Sequence, residues 1–104
     1  MLSIDWTKDG GWETPQIIPH GPIKIETSAT SLHYGISCYE GISIVKNNQS
    51  NKLQGFRVQD HLQSFINSTK HLDMPVFDQE ELGKCLQKLC VLDKEWIDWM
   101  DEPD

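Results

Sequence analysis

The chain has 104 residues, a length that allows one domain or part of one. Its formal net charge is −7 and Arg57 is its single arginine, which argues against nucleic acid as a partner because phosphate backbones are bound by clustered lysine and arginine. Hydrophobic residues make up 38% of the chain, which argues against wholesale disorder, and no apolar run of about 18 residues predicts a membrane span.

The first elements are predicted to be short. Glycine and proline punctuate the opening stretch, at Gly10-Gly11, Pro15, Pro19 and Gly21-Pro22, so it should consist of extended pieces joined by turns. Residues 23–26 alternate apolar and polar side chains and predict a strand. Ser31 could then cap a short helix over residues 32–39 that ends at Gly41.

A hairpin is predicted next. Residues 42–45 are rich in β-branched side chains and residues 52–58 resume an extended pattern, with the polar turn 47–51 between them. Two such runs around a short polar turn predict an antiparallel pair.

Two helices complete the pattern. Apolar positions recur at spacings of three and four after Asp60, and residues 73–75 should end that helix at a proline. Asp78 with Glu81 three residues later approximates a capping box for a second helix. Its predicted buried stripe is Leu82, Cys85, Leu86, Leu89 and Cys90. Helices mixed with antiparallel strands indicate an α+β fold.

Residues able to hold a metal do not occur at the usual spacings. Cys38, Cys85 and Cys90 form no Cys-x-x-Cys motif, and the four histidines form no His-x-x-x-His motif. We therefore expect free thiols and no metal site. The start of the chain also lacks the basic and apolar regions of a signal peptide and the arginine-rich composition of a transit peptide, so no targeting segment is predicted.

The densest unusual segment is residues 32–41, Leu-His-Tyr-Gly-Ile-Ser-Cys-Tyr-Glu-Gly. Tyr34 and Tyr39 could line a pocket, since a phenol combines a flat apolar wall with one hydrogen-bonding tip. On spacing alone, the more favoured reading is that both tyrosines pack behind a sheet.

Leu-His-Tyr-Gly followed by Tyr-Glu-Gly is similar to the signature of the class IV pyridoxal-phosphate aminotransferases. Flanking motifs sharpen the resemblance to the branched-chain amino-acid aminotransferases, which it follows in order from Met1 to about Trp96. They are Ile4-Asp5-Trp6, Gly11-Trp12, Pro15, Ser31-Leu32-His33-Tyr34, Phe56-Arg57, the run Leu-Asp-Met-Pro-Val-Phe-Asp at 72–78, and Leu-Asp-Lys-Glu-Trp at 92–96.

The resemblance implies the small N-terminal domain of a fold-type IV aminotransferase, an incomplete antiparallel sheet with two helices packed on it, over residues 1–96. Residues 97–104 should form an acidic, frayed tail. Enzymes of this family transfer an amino group between leucine, isoleucine or valine and 2-oxoglutarate through pyridoxal 5'-phosphate. They act as homodimers whose active sites are completed across the subunit interface. We expect a cytoplasmic or mitochondrial location.

The resemblance also assigns site residues. Tyr34 and Tyr39 would form the wall of the substrate pocket, and Gly41 would let the backbone approach the substrate closely. The family's Schiff-base lysine would lie beyond residue 104, so we expect no catalytic residue in this chain, no activity and no cofactor binding by the chain alone. Ser64 stands where the family has a phosphate-binding arginine, which makes cofactor binding there doubtful, because serine offers one neutral hydrogen bond instead of a bidentate, charge-assisted pair.

Two alternatives remain open. The chain could be a non-catalytic truncated paralogue that acts as a binding or dimerisation module, which the serine at position 64 favours. It could also be a fragment of another class IV member, a D-amino-acid aminotransferase or an aminodeoxychorismate lyase. The tryptophan- and aspartate-containing flanks argue against these last two.

Overall fold

The computed structural model describes residues 1–98, which form an α+β arrangement of short antiparallel strand pairs and helices. The strands are β1 (Leu2–Ser3), β2 (Trp6–Thr7), β3 (Gly11–Trp12), β4 (Gln16–Ile17), β5 (Ile44–Lys46) and β6 (Leu53–Gly55). The helices are α1 (Thr30–His33), α2 (Val58–His71) and α3 (Gln79–Leu92), followed by a 3-10 turn over Lys94–Trp96. Within residues 1–98, no helix has the length and apolar character needed to cross a bilayer.

The N-terminal strands form two nested pairs, which confirms the prediction of short extended pieces. β1 pairs with β4, and β2 pairs with β3 in a register that places Trp6 opposite Trp12. Gly11, the first residue of β3, has a φ of +69°, in the left-handed region that favours glycine, so the step from the turn into β3 suits a glycine.

Two predictions between residues 21 and 43 are wrong. Residues 23–26 form no regular secondary structure and pair with no strand among residues 1–98, and Ile23 and Ile25 are exposed. The helix predicted over residues 32–39 is only the single turn α1; its N-cap position is Ala29 rather than Ser31, and no side chain caps it. It stops at Tyr34 because Gly35 follows in the left-handed region, with a φ of +64°.

The predicted hairpin is confirmed, with shorter strands. Ile44 lies opposite Gly55 and Lys46 lies opposite Leu53. Within the turn, the side-chain oxygen of Asn47 accepts hydrogen bonds from the backbone N–H groups of Gln49 and Ser50 at 2.9 and 3.1 Å. The hairpin is a sheet of its own, so the single sheet that we expected is wrong for residues 1–98, which form three two-stranded sheets.

Helices α2 and α3 pack against each other and hold the small core. Leu62 is 1% exposed, and Ile66 and Thr69 are also buried. The predicted cap of α3 is confirmed, since the carboxylate of Asp78 accepts a hydrogen bond from the N–H of Glu81 at 2.9 Å. The prediction that the apolar stripe of α3 is buried is wrong. Its five side chains are only half-buried, and no residue of α3 is fully buried.

The predicted acidic tail lies outside the described residues except for its first two positions. Of those, Asp98 accepts a hydrogen bond at its carbonyl oxygen from the backbone N–H of Lys46 at 2.9 Å. This bond joins the end of the described chain to β5.

Candidate functional site

Tyr34 and Tyr39 lie on a loop that runs from the end of α1 to β5. We call residues 34–43 the tyrosine loop; it contains no regular secondary structure. The two tyrosines are 79% and 90% exposed. The interpretation that both pack behind a sheet is therefore wrong, and both phenols are open to a ligand or to another surface.

Gly41 lies near the end of the same loop and is exposed. A Cβ added to it would meet no atom within 4 Å. The described residues thus place no steric demand on this glycine. The close approach of a substrate to the backbone of Gly41 stays a prediction.

Ser64 lies on the exposed side of α2, where it lines a shallow depression of about 420 Å³. The depression is lined by Cys38 from the tyrosine loop and, on α2 and its end, by Ser64, Asn67, Ser68, His71 and Leu72. The hydroxyl of Ser68 donates to the carbonyl oxygen of Ser64 at 3.2 Å. Of the tyrosine loop, Cys38 lines this depression, whereas Tyr34, Tyr39 and Gly41 do not.

A hydrogen-bonded pair that sequence reasoning missed connects the same two elements. Nδ1 of His61 on α2 lies 2.8 Å from Oε1 of Glu40 in the tyrosine loop. Their side chains are 30% and 18% exposed, respectively. A carboxylate only accepts, so Nδ1 carries the proton. The sequence shows Glu40 between Tyr39 and Gly41, but no local pattern predicts that it binds a partner 21 residues away.

Arg57 does not supply a cationic group at the position of the expected phosphate contact. It has a φ of +51°, and its side chain lies 4.0 Å from the carboxylate of Asp60 and 5.8 Å from the ring centre of Phe56. It is largely exposed and interacts with its own neighbours in sequence. The lining of the depression at Ser64 does not include it.

A second, larger groove of about 1140 Å³ lies between the β5–β6 hairpin and α3. Its walls are largely apolar and include Ile42, Ile44, Leu53, Leu86 and Leu89. None of the predicted site residues lines it. Cys90 does, and its burial, with a smaller effect from Asp93, raises the pKa of its thiol above the ordinary value, which favours the protonated form.

The three cysteines, Cys38, Cys85 and Cys90, are free thiols and are half-buried. Within residues 1–98, no group of three histidine, cysteine, aspartate or glutamate side chains could hold a metal ion.

No family model matches the chain. Curated proteins do match it over 97 residues, which is 93% of the chain. The chain is 38% identical to the branched-chain-amino-acid aminotransferase of Dictyostelium discoideum and 35% identical to the cytosolic branched-chain-amino-acid aminotransferase of Mus musculus. It is 37% identical to a probable branched-chain-amino-acid aminotransferase of Staphylococcus aureus. The chain spans about a quarter of the length of these relatives. The resemblance drawn from the ordered motifs is thus confirmed: over nearly its whole length, this chain is similar to the branched-chain-amino-acid aminotransferases.

Proposed function

We propose that this chain forms the small-domain part of a pyridoxal-phosphate-dependent branched-chain aminotransferase. The reaction would move an amino group between leucine, isoleucine or valine and 2-oxoglutarate, in a homodimer. The observation that carries the proposal is the identity of 38% with the Dictyostelium relative, spread over 93% of the chain rather than confined to one motif. The fold-type IV architecture is part of the same proposal.

The tyrosine loop would provide the substrate wall. Tyr34 and Tyr39 expose most of their ring surface, which suits the aliphatic side chain of a branched-chain amino acid. Gly41, with open space where a side chain would be, would allow the substrate to approach the backbone. These roles are supported by the exposure of the three residues on one loop.

The polar lining of the depression at Ser64 fits a phosphate group through neutral hydrogen bonds. Ser64 and Asn67 offer a hydroxyl and an amide donor on the same side of α2. Pyridoxal phosphate, when bound, supplies the electron sink on which transamination depends. Without a guanidinium, these residues would hold its phosphate less tightly than an arginine would.

A second candidate is a binding or dimerisation module without catalytic activity. The specific observation in its favour is that Ser64 stands at the proposed phosphate site and that Arg57 does not line it. In that case the exposed tyrosines would contact another subunit instead of a substrate.

A chimera distinguishes the two candidates. This chain would replace the matched segment of the Dictyostelium relative, and glutamate formation from leucine and 2-oxoglutarate would be measured at saturating pyridoxal phosphate. We expect cofactor-dependent transamination of leucine, with D-alanine as the control substrate for the D-amino-acid branch of class IV. A folded, cofactor-loaded chimera that transfers no amino group would contradict the enzymatic proposal and favour the module.

A further inference from the structure

We infer that Glu40 and His61 form a positioning pair that holds the tyrosine loop against α2, an inference that rests on the proposed function for its meaning in catalysis. The bond of 2.8 Å joins a loop without regular structure to the helix that contains Ser64. It would set where Tyr39 and Gly41 stand relative to the depression at Ser64.

The tyrosine loop has no regular secondary structure to hold it in place, so a contact with α2 can fix its position. Tyr39 and Gly41, which flank Glu40, are both exposed, whereas the Glu40 side chain is only 18% exposed. The backbone hydrogen bond from the N–H of Ser37 to the carbonyl oxygen of Gly35 is local. Among residues 1–98, the next backbone hydrogen bond to the loop is the one from the N–H of Phe56 to the carbonyl oxygen of Ser43. Between these points, the carboxylate of Glu40 reaches across 21 residues of sequence to α2.

This hydrogen-bonded pair differs in kind from two ion pairs on the surface of the protein. Arg57–Asp60 and Lys84–Glu81 each join residues three apart, at 4.0 and 3.2 Å, and their side chains are exposed. Exposed pairs of this type contribute little to stability because water screens them and ordering long side chains costs entropy. The Glu40–His61 pair is shorter, partly shielded and non-local, so it can restrain one segment relative to another.

Its position on α2 explains what would be restrained. His61 and Ser64 are three residues apart on the helix, so their side chains project from neighbouring positions on its surface. Cys38, two residues before Glu40, lines the depression with Ser64. With Nδ1–H directed at the carboxylate, the imidazole keeps one tautomer and one ring orientation.

The test is nuclear magnetic resonance of the chain without cofactor, using ¹⁵N backbone order parameters and the ¹⁵N shifts of His61. In Glu40→Ala, we expect the order parameters of Tyr39 to Ile42 to fall below about 0.6, the range of flexible backbone, while Leu86 and Leu89 in α3 keep rigid values of about 0.85. Glu40→Gln keeps an acceptor oxygen and should retain most of the order. Glu81→Ala, which breaks the exposed pair, is the matched control and should leave the loop unchanged.

Unchanged order in the tyrosine loop of Glu40→Ala would overturn the inference. So would an equal loss of order in α3, because the pair would then be a general stabiliser and not a positioning device. In the parent chain, ¹⁵N shifts showing His61 protonated at Nε2 alone would also overturn it. The readout needs no cofactor, so an inactive chimera would contradict the proposed function without touching this result.

Discussion

The indole Nε1–H of Trp12 donates a hydrogen bond of 2.8 Å to the carbonyl oxygen of Val76, 64 residues further along the chain. Trp12 lies in β3, and Val76 lies in the connection between α2 and α3. This bond therefore joins the N-terminal strand pairs to the helical part of the protein. Both residues are exposed, so water competes for the bond.

Replacing Trp12 should loosen this connection by a small amount. Trp12→Phe removes the donor but keeps an aromatic ring, and we expect a loss of about 0.5–1 kcal/mol in the free energy of unfolding, the usual net contribution of one hydrogen bond. Urea denaturation measures it. Trp6→Phe, at the opposing strand position and similarly exposed, is the control and should cost less. Equal losses in the two variants would show that the Val76 contact adds nothing.

Gly55 should be far less tolerant of alanine than Gly41. A Cβ at Gly55 would stand 2.3 Å from Cγ2 of Val58 and 3.0 Å from Cδ1 of Ile44, both on branched side chains with few alternative rotamers. We expect Gly55→Ala to lower the free energy of unfolding by about 1–3 kcal/mol, the scale of overpacking.

Gly41→Ala is the matched comparison, because its Cβ meets no atom within 4 Å, and thermal melting should show almost no change in stability. In the chimera, the same variant should raise the KM for leucine if the substrate approaches this backbone. A destabilised Gly41→Ala would mean that the loop packs more tightly than its exposure indicates.

Ser64→Arg should strengthen cofactor binding in the chimera. A guanidinium at the depression would add a charge-assisted contact to the phosphate, and we expect a gain of about 1–2 kcal/mol, roughly 5–30-fold in affinity. Fluorescence titration with pyridoxal phosphate measures the change. Gln63→Arg adds the same charge one residue earlier on α2, away from the depression, and should have a smaller effect. Equal affinities in the parent and in Ser64→Arg would show that the phosphate lies elsewhere.

The chain alone should form no specific covalent adduct with pyridoxal phosphate. Schiff-base formation at a defined site requires a lysine whose pKa is lowered by its surroundings, whereas Lys84 pairs with Glu81 and Lys94 donates to the carbonyl oxygen of Asn51. After borohydride reduction, mass spectrometry should find scattered, substoichiometric labelling. One lysine labelled to full stoichiometry would refute this prediction and identify an unrecognised cofactor site.

The exposed tyrosines should promote self-association of the isolated chain. Tyr34 and Tyr39 leave most of their ring surface in water, and large exposed apolar patches commonly mark interaction surfaces. We expect concentration-dependent sedimentation that the paired Tyr34→Ser, Tyr39→Ser variant abolishes. Trp96→Ser removes a similarly exposed aromatic ring outside the tyrosine loop and should have less effect. A parent chain that sediments as a monomer at all concentrations would rule out association through this loop.

Several local features could be predicted from the sequence because their hydrogen bonds are local. Asp78 caps α3 through the N–H of Glu81, three residues away, so the pattern contains both partners. The β5–β6 hairpin needs only one polar turn between two extended runs. The family resemblance could also be predicted from the sequence, because the order of the motifs depends on residue identity and not on packing.

Only the tertiary structure decided features that depend on distant partners. Residues 23–26 have the alternation of a strand, but a strand exists only when another offers its backbone groups, and none does so here among residues 1–98. The periodic stripe of α3 was placed correctly, but its depth depends on what lies over it, and the groove beside the hairpin leaves it half-buried.

The candidate site shows the same division. The resemblance to the family proposed Tyr34, Tyr39, Gly41 and Ser64 as site residues from short local motifs, with Tyr39 and Gly41 in the same motif. The approach of the tyrosine loop to α2, with Cys38 beside Ser64 and Glu40 on His61, followed from no local pattern. Contacts between segments far apart in sequence become defined only when the chain packs, because closing the intervening loop costs entropy that the whole set of packed contacts must offset.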